Sequence, residues 1–236
     1  GSVLPYQRHP DFTGREADLR RLGETLLSTE NVVPVVAVTG VAGMGKTQLA
    51  VEFAYRYGRY FPGGVYWLSF AQADNVAEEV AATGGEHGLQ LFTANEKLKL
   101  AVQVSRVQQA WRENVPRLLI FDNCEAVDLL DKWRPDVGGC RILLTSQRGI
   151  WESDGRVITH PLNTLTRAES VALLTLFVDK ITPAEAERIA AELGDLPLAL
   201  HLAGSFLQRY WTIDPERYLR QLAQIGLLQH PSLHGR

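Results

Sequence analysis

Val35-Val36-Ala37-Val38-Thr39-Gly40-Val41-Ala42-Gly43-Met44-Gly45-Lys46-Thr47-Gln48-Leu49-Ala50 is the stretch from which the rest of the chain is read. Its first five residues are short, apolar and mostly β-branched, as in a strand buried on both faces. Residues 40–47 then fit G-x-x-x-x-G-K-[ST]. The physics needs that pattern. Glycines let the backbone curl so that successive N–H groups point inward at an anion. A helix beginning at Lys46, with Leu49, Ala50, Phe53, Ala54 and Tyr57 on one face, aims its positive end at the same anion. Lys46 is placed to reach the β- and γ-phosphates of a nucleotide, and Thr47 offers a hydroxyl to Mg²⁺. At average residue frequencies a chance match in such a chain is on the order of one percent, and the strand-loop-helix setting lowers it further.

Working outward, further strands are expected at Val65–Ser69, 117–121, 141–145 and, weakly, 156–159, alternating with helical patterns. That alternation predicts an α/β sheet with crossover helices. One such helix carries Leu100, Val104, Val107 and Trp111, and Gly84, Gly85 and Gly88 mark a loop between two helical stretches. The strand Leu118-Leu119-Ile120-Phe121 ends in Asp122, a carboxylate expected beside the loop to help hold Mg²⁺. Its successor is Asn123, which cannot act as a base, so slow hydrolysis is expected. Glu125 is near enough to substitute as that base, but is read first as a solvated acid in the first turn of the next helix. The fourth strand ends in Thr145-Ser146-Gln147-Arg148, polar groups at the ligand end of a parallel sheet. Thr145, Gln147 or Arg148 is left to sense the γ-phosphate, and Arg148 joins Lys46 and Asp122 as the catalytic candidates.

From Pro161 the pattern turns helical, with four expected helices. Thr166-x-x-Glu169 is a capping box ahead of Val171, Leu174 and Val178. Pro183 opens a helix bearing Ala186, Ile189, Ala190 and Leu193; Pro197 opens one bearing Leu198, Leu202, Ala203 and Phe206; Asp214-Pro215 begins one with Tyr218, Leu222 and Ile225. The expected domains are 1–160 and 161–236. With 236 residues, 45% hydrophobic and 22% charged, the composition is globular. A net charge of −3 supplies no global field toward nucleic acid or an anionic membrane. Cys124 and Cys140, far apart and outside any C-x-x-C, argue against a disulfide framework or zinc site, and a reducing cytoplasm is expected. No apolar run reaches transmembrane length. Gly1-Ser2 reads as a cleavage scar, so a larger protein is expected. The tryptophans, Trp67, Trp111, Trp133, Trp151 and Trp211, are read as packing residues without a site role.

Five phrases in order now define a resemblance: Phe12-Thr13-Gly14-Arg15-Glu16, residues 40–47, Leu118 through Glu125, Leu143 through Arg148, and Gly194-Asp195-Leu196-Pro197-Leu198-Ala199-Leu200. The set resembles the STAND NTPases. It is most similar to the NB-ARC module of plant disease-resistance proteins, apoptotic protease-activating factors and bacterial regulators with tetratricopeptide sensors. Asp122-Asn123-Cys124-Glu125 has a bacterial flavour. The resemblance implies a P-loop NTPase fold, a five-stranded parallel sheet in the order 5-1-4-3-2 with a small C-terminal four-helix domain. It implies ADP or ATP with Mg²⁺, bound by Phe12, Arg15, Val41, Ala42, Gly43, Met44, Gly45, Lys46, Thr47, Gln48, Pro197 and His201, with Thr47 and Asp122 at the metal. Phe12 and Arg15 would flank ribose and adenine, Pro197 would pack on adenine, and His201 would point toward sugar or phosphates.

The sequence departs from that pattern at Asn123, where relatives have a second acid, and at Gln147-Arg148, where many have arginine one position earlier. The winged-helix, sensor and effector domains that the resemblance implies are expected in the full-length protein and not in residues 1–236. The expected role is the ADP-bound regulatory core of a switch, monomeric as this chain and oligomerising on ATP in the full-length protein. A DNA-acting AAA+ or origin-recognition-like ATPase is the rival, opposed by Asn123 and the acidic charge. A P-loop small-molecule kinase is a third reading, but no base for a phosphoacceptor is evident.

Overall fold

A computed structural model describes residues 1–28, 33–151, 157–210, 212–225 and 230–233. Arg156, Trp211 and the side chain of Ile225 lie outside the described residues. The chain divides into two compact units. One takes Gly1–Arg8, Glu16–Gly40 and Lys46–Leu162; the other takes His9–Arg15, Val41–Gly45 and Asn163–Arg236.

The first unit is built on five strands, β1 (Val35–Thr39), β2 (Val65–Ser69), β3 (Arg117–Asp122), β4 (Cys140–Ser146) and β5 (Val157–Pro161). They pair in the order β2-β3-β4-β1-β5, all parallel. This is the expected order read from the other edge. Every residue of β1 is buried, as are the first five of β3, the pattern of parallel strands enclosed on both faces. The helices of this unit are α1 (Glu16–Leu26), α2 (Lys46–Tyr57), α3 (Val76–Thr83), α4 (Leu100–Trp111) and α5 (Val127–Trp133). On α4 the buried residues are Val107, Ala110 and Trp111, while Leu100 is exposed. Val3 extends the sheet past β2: its N–H donates to Val65 O at 2.8 Å and its carbonyl accepts from Trp67 N at 2.9 Å. Pro161 closes β5 instead of opening the helical segment, because β5 stays in register with β1 to Thr39.

A four-charge chain braces α2. The Glu52 carboxylate, only 1% exposed, accepts from Arg8 at 2.7 and 2.9 Å and from Arg56, and Arg56 also donates to Glu16 at 2.7 Å. The Arg8 hydrogen bonds, more than the Arg56 charge, hold the Glu52 carboxyl below its ordinary value. Cys124 and Cys140 are free and buried, and burial pushes both thiols up to about 12. The described tryptophans, Trp67, Trp111, Trp133 and Trp151, are all buried.

The second unit has α6 (Arg167–Phe177), α7 (Pro183–Glu192), α8 (Pro197–Arg209) and α9 (Pro215–Ile225). Thr166 and Thr182 each close a full capping box, with Glu169 and Glu185. The buried face of α6 is Ser170, Leu173, Leu174 and Phe177; Val171 is only partly buried and Val178 is the C-cap, so the apolar stripe lies one residue off the expected phase. Gly204 lets α8 approach α6, since a Cβ there would lie 2.6 Å from the Phe177 ring. Among the described residues, no helix is long and apolar enough to cross a membrane.

Candidate functional site

In the sheet unit the parallel register brings Thr39, Asp122 and Ser146 to the same edge, at the carboxyl ends of β1, β3 and β4. Such an edge is where open α/β sheets bind ligands. The glycine-spaced turn leaves β1 here and delivers the chain into α2. Gly43 and Gly45 adopt φ of 83° and 84°, and nothing lies within 4 Å of a Cβ built on Gly45, so conformation alone demands glycine there.

Thr47 Oγ1 donates to Asp122 Oδ1 at 3.0 Å, and Thr145 Oγ1 donates to the same oxygen at 2.6 Å. Two hydroxyls therefore converge on one carboxylate oxygen at the start of α2. The Lys46 ammonium donates to Gly40 O at 2.7 Å. Burial lowers the Lys46 pKa, opposed by the carboxylates of Glu125 and Asp122. Gln48 is exposed on the first turn of α2.

Asn123 sits at φ 62°, and its N–H donates to Thr145 Oγ1 at 2.9 Å. Asparagine tolerates this left-handed conformation better than most residues. Glu125 corrects an expectation. It precedes the N-cap Ala126 and is not in the first turn of α5. Its carboxylate accepts instead from Ser146 Oγ at 2.7 Å, Gln147 N at 2.8 Å and Arg148 N at 3.1 Å. It thus ties down the end of β4. The Arg148 side chain turns away along its own loop, with Nε donating to Ile150 O at 2.8 Å and the guanidinium 6.0 Å from the Trp151 ring centre.

In the helical unit, Val41–Gly45 lies with His9–Arg15 and the α8 N-terminus. Leu198, the second residue of α8, donates its N–H to Gly43 O at 3.2 Å. This N–H has no partner within the helix, so the turn's carbonyl caps α8. Pro197 is half-buried at the first helical position, and Val41 and Ala42 are exposed. Arg15 is 7% exposed, not an exposed helix start, and its Nη2 donates to Met44 O at 3.3 Å. Gly14 and Arg15 take φ of 74° and 65° in succession. The Arg15 N–H donates to Glu169 Oε1 at 2.7 Å.

Phe12 is half-buried, with its N–H donating to His9 O at 3.3 Å. The His201 ring meets Phe177 and His9 edge-on, with centres 5.0 and 5.5 Å away. Burial lowers the His201 pKa, and His9 adds to this, so the neutral ring is favoured. Three features escaped the sequence reading: the second role of Glu169, the Leu198 amide cap and the amide-binding role of Glu125. Only Glu169 left a local trace, its capping box.

The family model described as the NB-ARC domain matches residues 15–183. The regulatory protein AfsR of Streptomyces griseus is 30% identical over 219 residues, covering 87% of this chain and 22% of that protein. Apoptotic protease-activating factor 1 of Homo sapiens is 26% identical over 235 residues, covering 92% and 18%. The chain thus spans about a fifth of the length of these curated relatives. Among solved structures, a STAND protein with a tetratricopeptide repeat sensor from Pyrococcus horikoshii gives a TM-score of 0.54 at 19% identity, covering 95% of this chain and 36% of that one. The Aeropyrum pernix ORC2 protein, solved in ADPNP-ADP complexes, gives 0.62 at 13% identity, covering 94% and 70%. At these identities the structural likeness shows a shared P-loop ATPase fold and no more.

Proposed function

The chain belongs to the NB-ARC family, and from that premise we propose that it is the ADP- and ATP-binding regulatory core of a STAND signalling switch, resting with ADP and hydrolysing ATP slowly. The observation that carries the reading is the convergence of Thr47 Oγ1 and Thr145 Oγ1 on Asp122 Oδ1 at the foot of the glycine turn. A carboxylate and a hydroxyl in this relation would suit Mg²⁺, which would supply positive charge to neutralise the phosphates. Thr47 and Asp122 would hold it. The curled amides of 41–47 and the Lys46 ammonium would receive the phosphates. Phe12, Arg15, Gln48, Pro197 and His201 are carried forward as further nucleotide contacts.

Two observations support slow hydrolysis. Asn123 offers no base, and the Glu125 carboxylate is already taken up by a hydroxyl and two backbone amides. Water therefore meets no carboxylate at these two positions ready to accept its proton. A module that holds nucleotide longer than it turns it over suits a switch, provided its two conformations differ in affinity for ADP and ATP. The division into a nucleotide-binding domain over 1–160 and a helical domain over 161–236, a cytoplasmic site of action and ATP-dependent oligomerisation of the full-length protein belong to the same proposal.

Calorimetric titration with ADP and Mg²⁺ tests it. Lys46→Ala is expected to abolish binding, and retained submicromolar affinity would reject the site. The rival reading is motivated by fold likeness to origin-recognition proteins, one of them the Aeropyrum pernix ORC1 protein in complex with DNA. It requires duplex affinity that falls steeply with salt, and a flat null titration would remove it.

A further inference from the structure

We propose that Glu169 is a positioning residue for the nucleotide site, holding the left-handed Gly14–Arg15 turn so that the Arg15 guanidinium stays on the phosphate-loop carbonyl of Met44. The inference rests on the nucleotide reading above. The two oxygens of Glu169 do different things. Oε2 closes the α6 capping box, accepting from Thr166 N and Thr166 Oγ1, each at 2.8 Å. Oε1 accepts from Arg15 N at 2.7 Å, across 154 residues of chain.

Burial pushes the Glu169 carboxyl up, but the Arg15 and Thr166 hydrogen bonds outweigh it and hold the group below its ordinary value. Two successive residues at positive φ are costly for a non-glycine such as Arg15. They persist only where the surroundings fix them. Gly14 is part of the same fit, since a Cβ there would come within 2.7 Å of Glu169 Cδ. A cap alone would leave Oε1 to solvent. Its use on Arg15 links the start of α6 to an arginine whose guanidinium reaches the loop backbone at Met44.

The test compares ADP with inorganic pyrophosphate, both titrated with Mg²⁺. Pyrophosphate reports the loop and Lys46; ADP adds the sugar and base that Arg15 is proposed to flank. Glu169→Ala is expected to lose about tenfold in ADP affinity, the scale of one hydrogen bond to a charged group, while pyrophosphate affinity stays within about twofold. Thr166→Ala removes the cap hydroxyl and spares Oε1. It should lower the melting temperature and leave the ADP-to-pyrophosphate ratio at the wild-type value. Glu169→Gln presents one accepting oxygen instead of two, keeps the side chain's size, and should fall between wild type and alanine. An unchanged ratio in both Glu169 variants overturns the inference, as does an equal change in Thr166→Ala. If the wild-type chain binds pyrophosphate but not ADP, or neither, the nucleotide reading itself falls and this one with it.

Discussion

Replacing Thr145 by valine removes one oxygen and almost no volume, so its effect isolates the hydroxyl that orients Asp122. That hydroxyl is on a 2% exposed side chain, donates to Asp122 Oδ1 at 2.6 Å and accepts from Asn123 N at 2.9 Å. Loss of a hydrogen bond to a charged acceptor costs about 1.5–3 kcal/mol. The Asn123 amide also loses its acceptor, but Asn123 is exposed and water replaces much of that bond. The added methyl returns just under ~1 kcal/mol. The net loss is about 2 kcal/mol, which for a chain of this size lowers the melting temperature by roughly 4–8 °C. Thr145→Ser keeps the hydroxyl and loses a methyl, about 1 kcal/mol. Differential scanning calorimetry of the two variants gives the order wild type, serine, valine. Titration of ADP with and without Mg²⁺ should then show the metal's enhancement reduced in valine and kept in serine. A valine variant that melts with the wild type, or keeps the full Mg²⁺ enhancement, would refute the idea that Thr145 aims Asp122.

Two further outcomes follow from the packing. Glu52→Gln should cost about 2 kcal/mol near neutral pH, less than a fully buried pair would, because Arg8 and Arg56 are 54% and 31% exposed and regain water. The folded Glu52 pKa is depressed below its ordinary 4.5, so its contribution is present above that value and is lost as pH falls through the folded one; the melting-temperature gap between wild type and Glu52→Gln should close on acidification below 4.5. Gly204→Ala should destabilise by about 1 kcal/mol in chemical denaturation, the helix-propensity gain of about 1 kcal/mol being outweighed by overpacking of about 2 kcal/mol against Phe177. A more stable alanine variant would show that α6 and α8 can part at no cost.

What the sequence made legible, and what it hid, divides by distance along the chain. β1, the glycine turn and α2 were readable because composition, φ requirements and helical period all act locally. The capping box at Thr166 was readable for the same reason, while the matching box at Thr182 went unread behind the helix-opening Pro183. Strand order came from resemblance, since period-2 and apolar runs do not say which strand lies next to which. Glu125 was misread because its partners, Ser146 to Arg148, arrive from the next strand, and a carboxylate just before a helix looks locally like a dipole partner. The second oxygen of Glu169 was invisible because its donor is 154 residues away. The α6 stripe came out one residue off because Val171 and Val178 are more apolar than Ser170, which is nonetheless fully buried and donates to Thr166 O at 3.1 Å.

The two cysteines carry a practical consequence. With both sulfurs enclosed and titrating near 12, the folded chain presents almost no thiolate at neutral pH, and thiolate is what maleimides and iodoacetamides attack. A single cysteine introduced at an exposed position away from the proposed nucleotide contacts, such as Val102 or Leu176, would then be the one handle to react. Fluorophores or spin labels can be attached there without first stripping the natural sulfurs from the core, which gives a direct readout for the conformational exchange proposed above.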